Sequence, residues 1–312
     1  MKRLLFTLLL TLLCNLSVAQ EPMGIRPLVC NEGLSGNTIQ YVESKLKSIV
    51  SVNENWEVTD WSRLVLAVKI HPMRQDVTPT APVKVNMEFD VFISIGDVTD
   101  NHIFKTAKIT LGGIGSSEEQ AYVAAIKTLL PNNGTITNLL NETRPIAESY
   151  YRNHCSQIIQ KASTLAKTNN YDEAIYLLTS IPETCKECYE KCMKLAQTAY
   201  KQKIDYEGAQ LLKQAKTEWM TGQDKEAAGR VAEIMKGIDP NSSSYSEVKK
   251  LQNTITNKLK KDDRREWELK VKQMNAKHET TLSIIEAAKN IGIAWLQSRP
   301  QNVTKTIIRA WF

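Results

Sequence analysis

The residues with the most chemistry to offer are the six cysteines, Cys14, Cys30, Cys155, Cys185, Cys188 and Cys192. Cys185, Cys188 and Cys192 recur at i, i+3 and i+7, which places them along one face of a helix. With Cys155 and its neighbour His154 they contain the donor types of a tetrahedral zinc site. A regular helix, however, separates Cys185 from Cys192 by about 10 Å, too far for a shared ion, and no metal is expected. Tyr189 stands where c-type haem attachment needs a histidine, and Cys185-x-x-Cys188 lacks the βαβ context of a thioredoxin-like dithiol. That leaves disulfide chemistry.

The other candidates are weaker. Gly112-Gly-Ile-Gly-Ser116 precedes a helix and so raises the question of a phosphate cradle. No Gly-Lys-Ser/Thr follows, and no acidic residue sits at dinucleotide-binding spacing. Ser116 and Glu119 have the spacing of a capping box, the preferred reading. His71, His102, His154 and His278 are scattered, and no nucleophile elbow or His-Glu-x-x-His is present. No catalytic residue and no cofactor is assigned, and the chain is read as not an enzyme.

Disulfides presuppose export, and the N-terminus supplies the signal for it. Lys2 and Arg3 precede the apolar run Leu4 to Leu13, and Ser17-Val18-Ala19 offers a cleavage site. Residues 1–19 are read as a secretory signal peptide. The apolar run is well short of the roughly 20 residues needed to cross a bilayer. Leu13 stands where a lipoprotein signal has a small residue before its cysteine, so cleavage is preferred to acylation of Cys14. The formal charge of +6 falls to +4 when Lys2 and Arg3 are removed. The densest basic stretch, Lys258 to Lys272, is interleaved with Asp262, Asp263, Glu266 and Glu268, the pattern of a solvated helix face. No nucleic-acid partner is expected.

The elements that position these residues change character along the chain. Over 20–131 an α+β domain is expected. Ile25 to Cys30 reads as a strand and Ile39 to Val50 as a helix. Arg63 to Ile70 is a buried strand, and 73–82 a loop. Alternation from Val83 to Ile95 gives a long strand whose hairpin partner is His102 to Leu111. A final helix runs from Ser116 to Pro131. The order β-α-β-β-β-α predicts a mostly antiparallel sheet with two helices on one face. The step Gly113-Ile114-Gly115-Ser116 into Ala121-x-x-Ala124-Ala125 resembles the small α+β domains of bacterial envelope proteins in the curli-secretion and LPP20 lipoprotein group. The resemblance covers about a third of the chain, implies an envelope location and carries over no functional residue.

From 132 to 298 the pattern is helical and contains an internal repeat at an offset of 53 residues. Cys155 to Ala162 aligns with Gly208 to Ala215, and Asn169 to Ala174 with Gly222 to Ala227. Each unit reads as helix, tight turn and helix, with Tyr171-x-x-Ala174 similar to the tetratricopeptide repeat. A third helix, about Lys186 to Lys201, accounts for the long spacing, and Leu251 to Lys277 reads as one charged helix. Cys155 aligns with Gly208, and Cys188 with Ser246 or Ser244 depending on the gap. The second unit therefore lacks both cysteines, which selects Cys155–Cys188 as the disulfide, with Cys185 as the rival partner. The closing segment, 299–312, is read as a strand or docking tail. Trp311 and Phe312 either pack back on the repeats or anchor a partner.

These readings converge on an exported, non-catalytic interaction or scaffold protein of a bacterial envelope, periplasmic, binding another envelope or secreted protein. The mature chain is expected to be soluble, reaching a membrane only through a partner. The alternative is a small-ligand or enzymatic role for the α+β domain at the Gly112–Ser116 turn.

Overall fold

The computed structural model describes residues 21–30, 34–278, 282–299 and 301–312. The signal peptide read over 1–19 lies outside them. An N-terminal mixed α/β part is followed by helices, in two compact units. The first comprises the chain through Ser149, Pro182–Thr184 and Asn302–Phe312; the second comprises Tyr150–Ile181 and Cys185–Gln301.

In the first unit, five strands, β1 (Met23–Val29), β2 (Trp56–Val58), β3 (Leu64–Thr78), β4 (Lys84–Asp97) and β5 (His102–Gly115), form a sheet of order β2-β1-β3-β4-β5. β1 is parallel to both β2 and β3, and the β3–β4 and β4–β5 ladders are antiparallel. The sheet is therefore mixed. The sequence reading missed β2, whose three residues are too few to show a period, and it placed a loop at 73–82. There β3 instead runs to Thr78, paired with Lys84 across the hairpin. The residues from His71 to Gln75 are exposed, so pairing rather than burial makes them a strand.

Side chains alternate across this sheet. Leu66, Val68 and Ile70 face one side with their partners Ile95, Ile93 and Val91. Helix α1 (Gly36–Ser51) buries Val42, Leu46, Ile49 and Val50. Helix α2 (Glu118–Lys127) buries Ala121, Ala125 and Ile126 and stacks Tyr122 on Phe89 at 4.1 Å. The other face shows Val65 and Ala67, which cluster with Cys30, Val98 and Ile308. Ile308 belongs to the last helix, α10 (Gln301–Arg309), so the sheet carries helix on both faces. Where a strand or docking tail was expected over 299–312, Gln301–Arg309 is a helix. Its β-branched residues suggested extension, but Ile308 is fully buried at helical spacing from Lys305 and Trp311, and tertiary packing overrides weak propensity.

The turn end of the sheet is pinned by a buried ion network. Arg63 donates from Nε to Asp97 at 2.6 Å and from Nη2 to Asp100 at 2.6 Å, with Arg63 and Asp97 wholly buried. Asp97 also accepts the backbone N–H groups of Thr99 and Asp100, which shapes the β4–β5 turn.

The helical unit contains the end of α3 (Gly134–Lys167), α4 (Tyr171–Thr179), α5 (Lys186–Gly222), α6 (Lys225–Met235), α7 (Tyr245–Lys258), α8 (Lys261–His278) and α9 (Ile284–Ser298). The third helix expected at Lys186 to Lys201 does not stop before the second repeat. It continues as the 37-residue α5, so one helix closes the first three-helix unit and opens the second. The tight turns at the aligned positions each contain a left-handed residue, Asn169 (φ 61°) and Gln223 (φ 49°). Leu251 to Lys277 is two helices rather than one. Leu259 turns extended (ψ 144°) to bury its side chain and breaks the run between α7 and α8. Trp219, Val231, Met235, Val248, Ile255 and Trp267 share the core of α5 to α8. Among the described residues no helix is long and apolar enough to cross a membrane.

Candidate functional site

The helices α3, α4 and α5 enclose an open groove of about 480 Å³. Its wall begins on α3 with Ile159, Ala162 and Ala166, passes Tyr171 and Leu178 on α4, and closes on α5 with Leu195 and Ala199. Small residues at Ala162, Ala166 and Ala199 keep the helix surfaces low, and Leu195 stands exposed at the edge. Lys167, Asn169, Thr198, Gln202 and Asp205 supply a polar rim. The arrangement offers apolar contact flanked by hydrogen-bonding groups, the chemistry of an amphipathic peptide site. Sequence reasoning did not single out this groove. Nothing in the residue pattern marks it, because Leu195 stands exposed beside the buried Ala196 and Ala199 only once the helices have packed.

The helices are tied beside this groove by a disulfide between Cys155 and Cys188, whose Cα atoms are 5.8 Å apart. This is the pair selected by the repeat alignment. Gly208, the residue aligned with Cys155, sits instead at a close contact with Ser242, which is not the residue aligned with Cys188. A Cβ there would meet Ser242 Oγ at 2.4 Å. Cys192 contributes a third sulfur, 3.9 Å from Cys188 Sγ. Cys185 is at the N-terminus of α5 and is buried. His154 turns Nδ1 to the Tyr150 carbonyl at 2.9 Å and stacks on that ring. Of the five donors weighed from spacing, the fold brings Cys155, Cys188 and Cys192 together, their Sγ atoms within 4.8 Å of one another.

The Gly112–Ser116 turn is used for packing. A Cβ on Gly113 would meet Ala121 O at 2.0 Å and Ala125 N at 2.6 Å, and one on Gly115 would meet Ala121 N at 2.5 Å. Both glycines let β5 lie directly against α2. The capping box expected at Ser116 and Glu119 does not form, and the N-cap lies one residue later. Ser117 is the N-cap and accepts from Gln120 N, while Ser116 donates to Gln120 Oε1 at 2.6 Å. Glu119 reaches instead to the start of α1, accepting from Thr38 Oγ1 at 2.7 Å and from the Ser35 hydroxyl. Those two hydroxyls hold its carboxyl below the usual range. A shallow depression of about 580 Å³ lies beside this contact, lined by Tyr41, Ser117, Gln120 and Lys127 among others.

Trp311 and Phe312 pack back, but on the sheet rather than on the repeats. Trp311 donates from Nε1 to Asn101 Oδ1 at 2.8 Å and lies over Gly96, where a Cβ would meet its ring at 2.7 Å. Phe312 packs against the Val65–Ala67 cluster with Lys69 Nζ 6.0 Å from its ring centre. Burial raises the thiol pKa of Cys30 in the same cluster.

No protein-family model matches the chain, and no curated protein matches it. Among solved structures, a crystal structure of a minor lipoprotein from Acinetobacter baumannii is similar, at 19% identity and a TM-score of 0.24. That alignment covers 41% of this chain and 93% of the lipoprotein.

Proposed function

We propose that this protein is an exported, non-catalytic interaction module of a bacterial envelope, in which the α3–α4–α5 groove receives a segment of another envelope or secreted protein. The observation that carries the reading is the groove itself, with apolar Ile159, Leu178 and Leu195 set between small residues and bordered by Lys167, Asn169, Gln202 and Asp205. Support for export comes from the order Lys2-Arg3, apolar run and Ser17-Val18-Ala19. The Cys155–Cys188 bond suits an oxidising compartment. An amphipathic segment laid in the groove would bury its apolar side on Leu195 and Leu178 and meet the polar rim with its flanks.

Site-specific photo-cross-linking in intact cells tests this. A photoreactive residue at Ser163 or Gln202, both in the groove, is expected to give one discrete adduct band. The same residue at Lys258, on α7, is expected not to. Leu195→Asp is expected to remove the adduct while leaving the melting temperature unchanged. Absence of any groove-specific adduct, or an adduct indifferent to Leu195→Asp, would refute the reading.

A further inference from the structure

Three cysteine sulfurs converge inside the helical unit. The Sγ atoms of Cys155, Cys188 and Cys192 all lie within 4.8 Å of one another. Cys192 is completely buried, and Cys188 nearly so. An ion bonded to three thiolates at about 2.3 Å separates their sulfurs by about 3.8–4.0 Å. The 3.9 Å between Cys188 and Cys192 already has that edge. Cys155 Sγ is already within 4.8 Å of Cys192 Sγ, so with the disulfide open it would need only to draw back from Cys188 Sγ to complete the triangle.

We propose that reduction of the Cys155–Cys188 disulfide creates a three-thiolate site for a soft d10 cation, with Cu(I) as the type ion. The reductant is a dithiol. Its two S–H groups are oxidised to a disulfide while the Cys155–Cys188 bond accepts two electrons and two protons. Each of the three thiols that then binds the ion does so as a thiolate and releases its proton to solvent. Donor chemistry sets the class of ion, because all-sulfur ligation selects soft metals over oxygen-seeking ones. Coordination number narrows it. Among the described residues no fourth histidine, cysteine or carboxylate joins the cluster, which suits a three-coordinate ion better than tetrahedral zinc. The disulfide is then a gate, since the oxidised chain has two of its three ligands joined to each other.

The test uses the full mature chain carrying Cys30→Ala and Cys185→Ala, so that only the three cluster cysteines remain. The protein is reduced with dithiothreitol, freed of it without oxygen, and titrated with Cu(I) against a competing chromogenic chelator. One Cu(I) per chain is expected, with a matching mass adduct and ultraviolet thiolate-to-copper absorption. The non-reduced protein is expected to hold the ion more than about tenfold less tightly, and so is reduced Cys192→Ala, since losing a ligand costs at least what losing a supporting contact does. Cys192→Ala keeps the disulfide pair, so its fold is checked in the oxidised state by circular dichroism. Equal binding by the non-reduced protein or by Cys192→Ala would overturn the proposal. So would loss of helical dichroism on reduction before copper is added.

Discussion

Replacing Ile308 with alanine probes whether the C-terminal helix is part of the first unit's core. Ile308 is fully buried among Cys30, Val65, Ala67 and Val98. Burying an isoleucine side chain contributes about 1.5–3 kcal/mol, and the incompletely filled cavity brings the cost of Ile→Ala to about 2–5 kcal/mol. Taking about 3 kcal/mol, the population with α10 detached should rise about 150-fold, at 1.36 kcal/mol per factor of ten. The Cys30 thiol reports that opening directly. It is buried beneath α10, and desolvation raises its pKa despite the opposing influence of Lys305 and Arg309, so the closed state alkylates slowly. Labelling with iodoacetamide, followed peptide by peptide in the mass spectrometer, should show Cys30 reacting about 150-fold faster in Ile308→Ala under conditions where closing outpaces labelling. Cys192, in the helical unit, should react at an unchanged rate. Equal Cys30 rates in the two proteins would refute the assignment of α10 to this core.

Gly113→Ala should destabilise the first unit by about 1–3 kcal/mol through overpacking, because the added Cβ meets Ala121 O at 2.0 Å. Gly112→Ala, whose Cβ meets only Met87 O at 4.0 Å, should melt near the parent temperature. Reducing Cys155–Cys188, which closes a separation of 33 residues, should cost the helical unit about 3.8 kcal/mol in the chain-entropy account, measurable as a lower urea midpoint with dithiothreitol. The Glu119 carboxyl is held below its ordinary value of 4.5 by Ser35 and Thr38. The folded chain therefore takes up that proton less readily than the unfolded one, and the contribution is full above pH 4.5 and lost as pH falls through the depressed folded value. Melting curves of Glu119→Gln should consequently fall less steeply than the parent's over that acid range, and parallel curves would exclude the contact.

Much of this architecture is legible in the residues because burial writes a period into them. The alternation that ends at Ile95 identifies β4, although Val83 lies outside it and Asp90 and Ser94 on the other face are buried too. The i, i+4 pattern of Val42, Leu46 and Val50 identifies α1 and its buried face. The repeat made the disulfide readable, since Cys155 and Cys188 are absent together from the second unit. Long-range partnerships leave no such trace. Nothing local links Glu119 to Thr38, 81 residues away, or Trp311 to Asn101, 210 residues away. The exposed half of β3 lacked alternation because its stabilisation comes from ladder hydrogen bonds rather than from a buried face. The groove was invisible for a related reason. It is formed by three helices whose individual sequences read as ordinary amphipathic patterns, and only their packing leaves Leu195 and Leu178 on a shared wall.

The covering of Val65 and Ala67 by Ile308 has a consequence for how the chain is made. The strand that carries Val65 and Ala67 is made more than two hundred residues before the helix that shields this face. Until Ile308 has been added, the face of β3 that carries Val65 and Ala67 lacks its cover. A chain cut before Ile308 leaves that surface open, so the integrity of the sheet's second face depends on a segment remote from it in sequence.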